Sequence, residues 1–249
     1  MSEVQRRTAL VTGGLGGLGT AVARALHDRG HRVVVSDVGG GTAAAGWLAG
    51  QAADGYAFKC YEADVSDFDA CKAMAARIEA DGYQVDILVN NAGITRDHTF
   101  RKLDKADWDA VMRTNLDSMY NVTKCFIDGM VARGWGRIVN VSSINGSKGQ
   151  FGQTNYSAAK AGIQGFTRAL AQEVAHKGVT VNCVSPGYMA TRMVTTMPEE
   201  VLRQVVAGIP VGRLGKPEEV AELIAYITSE AGAFMTGSNV AINGGQHMC

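Results

Sequence analysis

Tyr156 and Lys160 stand four residues apart in the segment NYSAAKAG, a spacing that puts both side chains on one face of a helix. A free phenol has a pKa of about 10 and exchanges its proton poorly at neutral pH, whereas a neighbouring ammonium favours the phenolate. Such a pair can hand a proton to a carbonyl oxygen or take one back. A tyrosine and a lysine on a solvated helix face have the same spacing and no chemistry, so the pair needs company. Ser143 supplies it: thirteen residues upstream, it ends the apolar run in VNVSS. A hydroxyl at the carboxyl end of a strand can donate to a carbonyl oxygen and stabilise the negative charge that develops as hydride reaches the carbon. Ser142, its neighbour, is expected to face the other way.

A hydride donor needs a seat, and TGGLGGLG, from Thr12 to Gly19, has the composition of one. It follows an apolar β-branched run and precedes a helical pattern, the context of a dinucleotide turn. Gly13, Gly17 and Gly19 lack the Cβ that would obstruct the tight turn, the approach of a pyrophosphate and the packing of the helix. Out of that context a flexible glycine loop explains the composition equally well. About twenty residues further on, Asp37 ends the second apolar run, where a carboxylate can accept hydrogen bonds from both adenosine ribose hydroxyls and repel a 2'-phosphate. Gly16 and the stretch VGGGTAAAG (38–46) bring no Lys or Arg. NADH is therefore expected over NADPH, with NADPH the alternative. An aspartate that only caps or turns the chain is the competing account of Asp37. NNAG, Asn90 to Gly93, ends a further strand, where small residues let backbone pack near adenosine and the nicotinamide ribose.

The elements that must position these groups alternate. Apolar β-branched runs at 8–12, 32–36, 85–90, 137–142, 179–185 and 239–243, with a weaker one at 56–64, predict seven buried parallel strands. Helical periodicity at 18–29, 67–81, 107–132 and 156–176 separates them. This is an α/β chain, a doubly wound Rossmann fold with a seven-stranded parallel sheet and helices on both faces, read as a single domain over 1–249. Residues 188–215, rich in Met, Thr, Pro and Gly, are expected as a lid over the substrate, although a plain surface helix explains 198–207 equally well.

Composition narrows the class. The chain is 46% apolar and 19% charged, and no apolar run reaches membrane-spanning length. The opening MSEVQRRTALV lacks a signal-peptide pattern, so a soluble cytoplasmic protein is expected. Five cysteines without a CxxC pair read as reduced thiols. Lys and Arg balance Asp and Glu at 24 each, which removes any broad electrostatic reason to bind nucleic acid or acidic membrane. No metal is expected.

TGGLGGLG, NNAG, Asn115 in RTNLDS, Ser143, and Tyr156 with Lys160 together resemble, in order and spacing, the motif set of the short-chain dehydrogenase/reductase family. The resemblance covers nearly the whole chain. It implies that Tyr156 is the general acid, that Ser143 orients and polarises the carbonyl, and that Lys160 holds the nicotinamide ribose and lowers the tyrosine pKa. Asn115 would hold a proton-relay water; from its own residue type it is equally a helix kink or cap. The cofactor set implied is Gly13, Leu15, Gly16, Gly17, Leu18, Gly19, Asp37, Asp64 and Val65 at the adenosine end. Asn91, Ala92, Gly93, Tyr156, Lys160, Pro186, Gly187, Met189 and Thr191 complete it toward the nicotinamide.

Within the family, NAGITRDHTFRKLDKADWDAV and GWGRIVNVSSINGSKGQFGQTNYSAAKAG are most similar to the acetoacetyl-CoA reductases of polyhydroxybutyrate synthesis. That resemblance implies reduction of a 3-oxoacyl thioester to the (R)-3-hydroxy product, with Asp97, Ser143, Gln150, Gln153, Tyr156 and Tyr188 lining the acyl-thioester pocket. Gln150 and Gln153 carry amides suited to a thioester carbonyl or pantetheine. Lys148, Arg96, Arg101 and Arg192 are outlying candidates for coenzyme A phosphates. The alternatives are a 3-oxoacyl-acyl-carrier-protein reductase, an NAD-dependent secondary alcohol dehydrogenase, and, from another class, a cofactor-sensing binding protein. Resemblance also implies a homotetramer, through the helices near 107–132 and 156–176 and the apolar end segment.

Overall fold

In the computed structural model, residues 6–248 are described, without the side chains of Arg192 and Met193. Seven strands, β1 (Thr8–Thr12), β2 (Arg32–Asp37), β3 (Lys59–Glu62), β4 (Val85–Asn90), β5 (Gly136–Val141), β6 (Val179–Pro186) and β7 (Asn239–Ile242), form one sheet in the order β3-β2-β1-β4-β5-β6-β7. Every pairing is parallel. The order reverses between β1 and β4, where the crevice beyond the strand ends receives ligands in sheets of this kind. The central strands β1, β4, β5 and β6 are buried along their whole length, which is why they read as continuous apolar runs rather than alternating ones.

The helices are α1 (Gly17–Asp28), α2 (Thr42–Ala53), α3 (Phe68–Ala80), α4 (Lys105–Met112), α5 (Ser118–Arg133), α6 (Ile144–Lys148), α7 (Thr154–Val174), α8 (Arg192–Thr195), α9 (Glu199–Ala207) and α10 (Pro217–Ile227). One face of the sheet packs α1 and α10 over Val11, Val35, Val89 and Val139, and the other packs α3, α5 and α7 over Leu10, Val34, Leu88 and Ile138.

Three differences from the sequence expectations have physical causes. The chain after β2 is a loop only as far as Gly41; the alanine-rich remainder forms α2, pinned by Trp47 stacked on Phe58 at 5.5 Å between ring centres. The helix expected over 107–132 begins two residues earlier, because the Asp104 carboxylate caps the Asp107 N–H at 2.8 Å, and it is interrupted by a π-helical turn at Arg113–Asp117. The strand expected to end at Ser142 ends at Val141, since Ser143 turns the chain as the N-cap of the short α6.

Candidate active site

The glycine turn joins β1 to α1 in contacts too tight for side chains. Gly13 has φ +64°, and a Cβ on it would lie 2.9 Å from the Ala92 Cα. A Cβ on Gly19 would lie 2.2 Å from the Gly13 carbonyl oxygen, so only glycine lets α1 start against its own turn. Gly16 and Gly17 are exposed, and Gly17 faces Thr191 across ordinary contact distance. Strand β4 is tied to this turn by Thr12, whose hydroxyl accepts from the Asn91 and Ala92 amides at 3.0 and 3.1 Å. The Asn91 side chain donates to the Thr12 and Gly13 carbonyls at 2.9 and 3.2 Å. Sequence reasoning had assigned Thr12 no part; its only signal was its place at the strand end.

The resulting cleft, of about 640 Å³, runs from Asp37 past Asp64 and Val65 to Gly93 and Thr191. Asp37 accepts from the Leu15 amide at 3.2 Å through one oxygen and from the Gly39 amide at 3.3 Å through the other. Its carboxylate therefore does brace the turn, as the competing account required, while each oxygen keeps a lone pair for a ribose hydroxyl. Leu15 itself packs against the core and does not line the cleft; its amide serves only to hold the Asp37 carboxylate.

A second cavity of about 410 Å³ shares Leu18, Asn91, Gly93, Ile94 and Thr191 with the first and is bounded by Pro186 at the end of β6 and by Gly187 and Met189 beyond it. Ser143, Tyr156 and Lys160 line it together with Asp97, Gln150, Gln153 and Tyr188. Lys160, buried, lies with its Nζ 5.5 Å from the centre of the Tyr156 ring and donates to the Val141 carbonyl at 2.8 Å. Ser143 faces the same cavity as Tyr156 and accepts from the Asn145 amide at 3.1 Å. The Ser142 hydroxyl turns away and donates to the Lys160 carbonyl at 2.7 Å.

Burial pushes Tyr156 up to about 12; the Ser143 hydrogen bond lowers it, while Asp97 and Tyr188 raise it. The net direction is opposite to that which a nearby ammonium alone would impose. The largest cause is the burial of Tyr156 itself; Lys160, lowered by its own burial from 10.5 to about 8, donates to the Val141 carbonyl. Tyr188 is also raised, by burial and then by Asp97.

Asn115 occupies the middle of the π turn and is fully buried. Its Oδ1 accepts from the Ile94 N–H at 2.8 Å and its Nδ2 donates to the Ile94 carbonyl at 2.9 Å, so both ends of the amide clasp one peptide of the β4 loop. It is a kink and a clasp at once, beside Gly93 and the Lys160 ammonium. Gln153 spends its amide on Asp97 and Asn145, at 2.7 and 2.9 Å, and Gln150 accepts from Lys148 at 2.7 Å. Arg96 faces Asp107 at 3.6 Å, and the described Lys148 and Arg101 lie outside the cavity lining. The Arg192 side chain falls outside the described residues. Asn155 was missed: buried, it accepts from the Tyr156 N–H at 2.8 Å and donates to the Arg96 carbonyl at 2.9 Å, and only its place beside Tyr156 could have flagged it.

The profile of a family described as enoyl-(acyl carrier protein) reductase matches residues 13–247. The chain is 56% identical to the acetoacetyl-CoA reductase of Cupriavidus necator over 243 residues, covering 98% of this chain and 99% of that one. The chain belongs to the short-chain dehydrogenase/reductase family. It is also 54% identical to nodulation protein G of Azospirillum brasilense over 97% of this chain and 98% of that one, and 49% identical to the acetoacetyl-CoA reductase of Allochromatium vinosum over 97% and 99%. A short-chain dehydrogenase/reductase works with a nicotinamide cofactor, and the two joined cavities fit one. The exposed Gly16 and Gly17 leave the floor of the cleft free of side chains for a pyrophosphate, and the two cavities together take in Asp37 at one end and Tyr156 at the other.

Proposed function

We propose that the chain is an acetoacetyl-CoA reductase, acting on a short 3-oxoacyl-CoA to give the (R)-3-hydroxyacyl-CoA. One observation carries the chemistry: a tyrosine, with a serine beside it in the cavity wall and a buried lysine behind its ring, sits where the glycine-floored cleft opens into a second cavity. The full-length likeness to proteins named acetoacetyl-CoA reductase supports the substrate.

The nicotinamide, when bound, supplies the hydride. Ser143 donates to the 3-oxo oxygen and holds it against the phenol. Tyr156 gives its proton to that oxygen as charge develops there. Lys160 holds the nicotinamide ribose hydroxyls, and Asn115 clasps the Ile94 peptide so that the floor beneath them keeps its shape. Gly13, Gly16, Gly17, Leu18 and Gly19 cradle the pyrophosphate with the α1 N-terminal amides. Asp64, Val65, Asn91, Ala92 and Gly93 flank the adenosine and ribose, with Pro186, Gly187, Met189 and Thr191 at the carboxamide.

We assign NADH as the preferred cofactor because Asp37 offers its carboxylate where a 2'-phosphate would lie, and no Lys or Arg lines that cleft among the described residues. The same reading places the protein in the cytoplasm, as one domain and as a homotetramer. Among the described residues no helix is long and apolar enough to cross a membrane.

Initial rates on acetoacetyl-CoA with NADH and NADPH in parallel test both assignments. A kcat/KM well in favour of NADH is expected, and Asp37→Ser should narrow the preference at least tenfold. Preference for NADPH would keep the reaction and overturn the role of Asp37. Turnover only with acetoacetyl-acyl-carrier protein would move the enzyme to carrier-bound substrates. If Tyr156→Phe kept full turnover, the assigned chemistry would fall.

A further inference from the structure

Two carboxylates flank the short loop that follows β2. Asp37 and Glu62 end neighbouring parallel strands as partners in register, and the Ala63 N–H donates to the Asp37 carbonyl at 3.0 Å, so the two side chains leave the same face of the sheet side by side. Between them the chain runs through Val38, Gly39 and Gly40. The Gly39 N–H donates to Asp37 Oδ1 at 3.3 Å, while a Cβ on Gly40 would overlap the Glu62 carboxylate. Glycine backbone is what separates the two acids. Asp37, Val38, Ala63 and Asp64 line one end of the cofactor cleft, and Glu62, exposed, adjoins that lining without belonging to it.

Glu62 has no part in the ribose contacts assigned to Asp37, so what it brings to the cleft is charge. The ribose of NADH is neutral at its 2' position. A 2'-phosphate carries about two negative charges, and repulsion between like charges acts over several ångströms. We propose that Glu62 is a second determinant of cofactor choice: with Asp37 it forms a barrier of two carboxylates beside the 2' position, and NADPH is rejected by charge from two strands rather than from one side chain. This deepens the NADH assignment and rests on it for the seat of the ribose, though the effect of Glu62 on a 2'-phosphate is measurable whichever cofactor the enzyme prefers.

The cations around β3 are engaged away from this loop. Lys59 pairs with Asp81 at 2.6 Å, and Arg77, from α3, donates to the Glu62 carbonyl at 2.5 Å. Both line a separate surface hollow with Tyr61 and Asp81, which shares no residue with the cofactor cleft. Arg24, from α1, is held by Gln51 and Asp54 at 2.8 and 2.5 Å. The competing role for Glu62 is structural. Gly41 is the N-cap of α2, whose first turn carries no acid, and a carboxylate nearby steadies a helix N-terminus. A purely structural Glu62 changes Tm and leaves the discrimination at the 2' position alone.

Glu62→Gln keeps the shape of the side chain and removes its charge; Glu62→Asp keeps the charge. Calorimetric titration with AMP and with adenosine 2',5'-bisphosphate, at low and at high salt, is run beside kcat/KM for NADH and NADPH and a thermal melt. In Glu62→Gln at low salt, affinity for the bisphosphate and kcat/KM for NADPH should each rise roughly three- to tenfold, with AMP and NADH changed less than about twofold. The gain should shrink at high salt, persist in an Asp37→Ser background, and be absent from Glu62→Asp. A bisphosphate affinity unchanged or lowered in Glu62→Gln overturns the proposal, and if Tm falls as well, Glu62 belongs to α2 alone. If the wild type prefers NADPH, the NADH assignment fails, and the response of the bisphosphate to Glu62→Gln still decides the role of Glu62.

Discussion

At the scale of single residues, the site depends on groups held out of their ordinary protonation ranges by burial. Lys160 is the sharpest case. Its folded value is about 8 against 10.5 for the free side chain, so between those values the unfolded chain holds a proton that the folded chain has lost. Unfolding free energy therefore rises with pH from 8 to 10.5, and the full cost, on the order of 3 kcal/mol, is present below pH 8. Lys160→Met should lose turnover and yet gain stability at neutral pH. Urea midpoints across pH 6 to 11 check this: the gap between variant and wild type should be widest below pH 8 and close toward 10.5. A gap that stays constant would mean that Lys160 is charged throughout.

At the scale of elements, the cofactor floor is made where backbone meets backbone. Gly19, in the first turn of α1, lies against the Gly13 carbonyl, and no side-chain movement can make room there. Gly19→Ala should therefore displace the turn and weaken NADH binding by tenfold or more, with a measurable fall in Tm; fluorescence titration of NADH and a thermal melt read the two effects. Alanine tolerated without loss of affinity would show that the turn yields. Glycine spacing after an apolar run made this turn readable in advance. The π turn at Arg113–Asp117 was not: its residues have helical periodicity, and only the Ile94 peptide offered to Asn115 across the chain makes the extra residue worth accommodating. The helix α2 was also hidden, since its alanines carry little amphipathic pattern and its anchor is the stacking of Trp47 on Phe58.

At the scale of the whole molecule, apolar side chains near the end of the chain remain in water. Phe234 is fully exposed and Met248 is 77% exposed, as is Val211 at 60%. Leaving such groups uncovered forfeits roughly 1.5–3 kcal/mol for each large side chain. The homotetramer proposed above would cover them. Sedimentation at micromolar concentration should give four chains per particle, and Phe234→Glu should shift the distribution to smaller species without unfolding them. A wild-type monomer would remove the assembly from the reading.

The sequence by itself determined the class of fold and the identity of the chemistry. Buried parallel strands must be apolar throughout, a dinucleotide turn must be glycine, and a Tyr–Lys pair at helical spacing after a serine-ended strand needs only local geometry to be recognised. The tertiary structure decided what local geometry cannot hold. Whether Lys160 lowers the Tyr156 pKa depends on how deeply both are buried and on where the lysine proton points, which is set by the Val141 carbonyl on another element. Whether Gln153 is free for substrate depends on Asp97, from the loop after β4, and Asn145, from the short α6. Residue type and spacing are short-range information; burial and hydrogen-bond partners drawn from distant segments exist only once the chain has closed on itself.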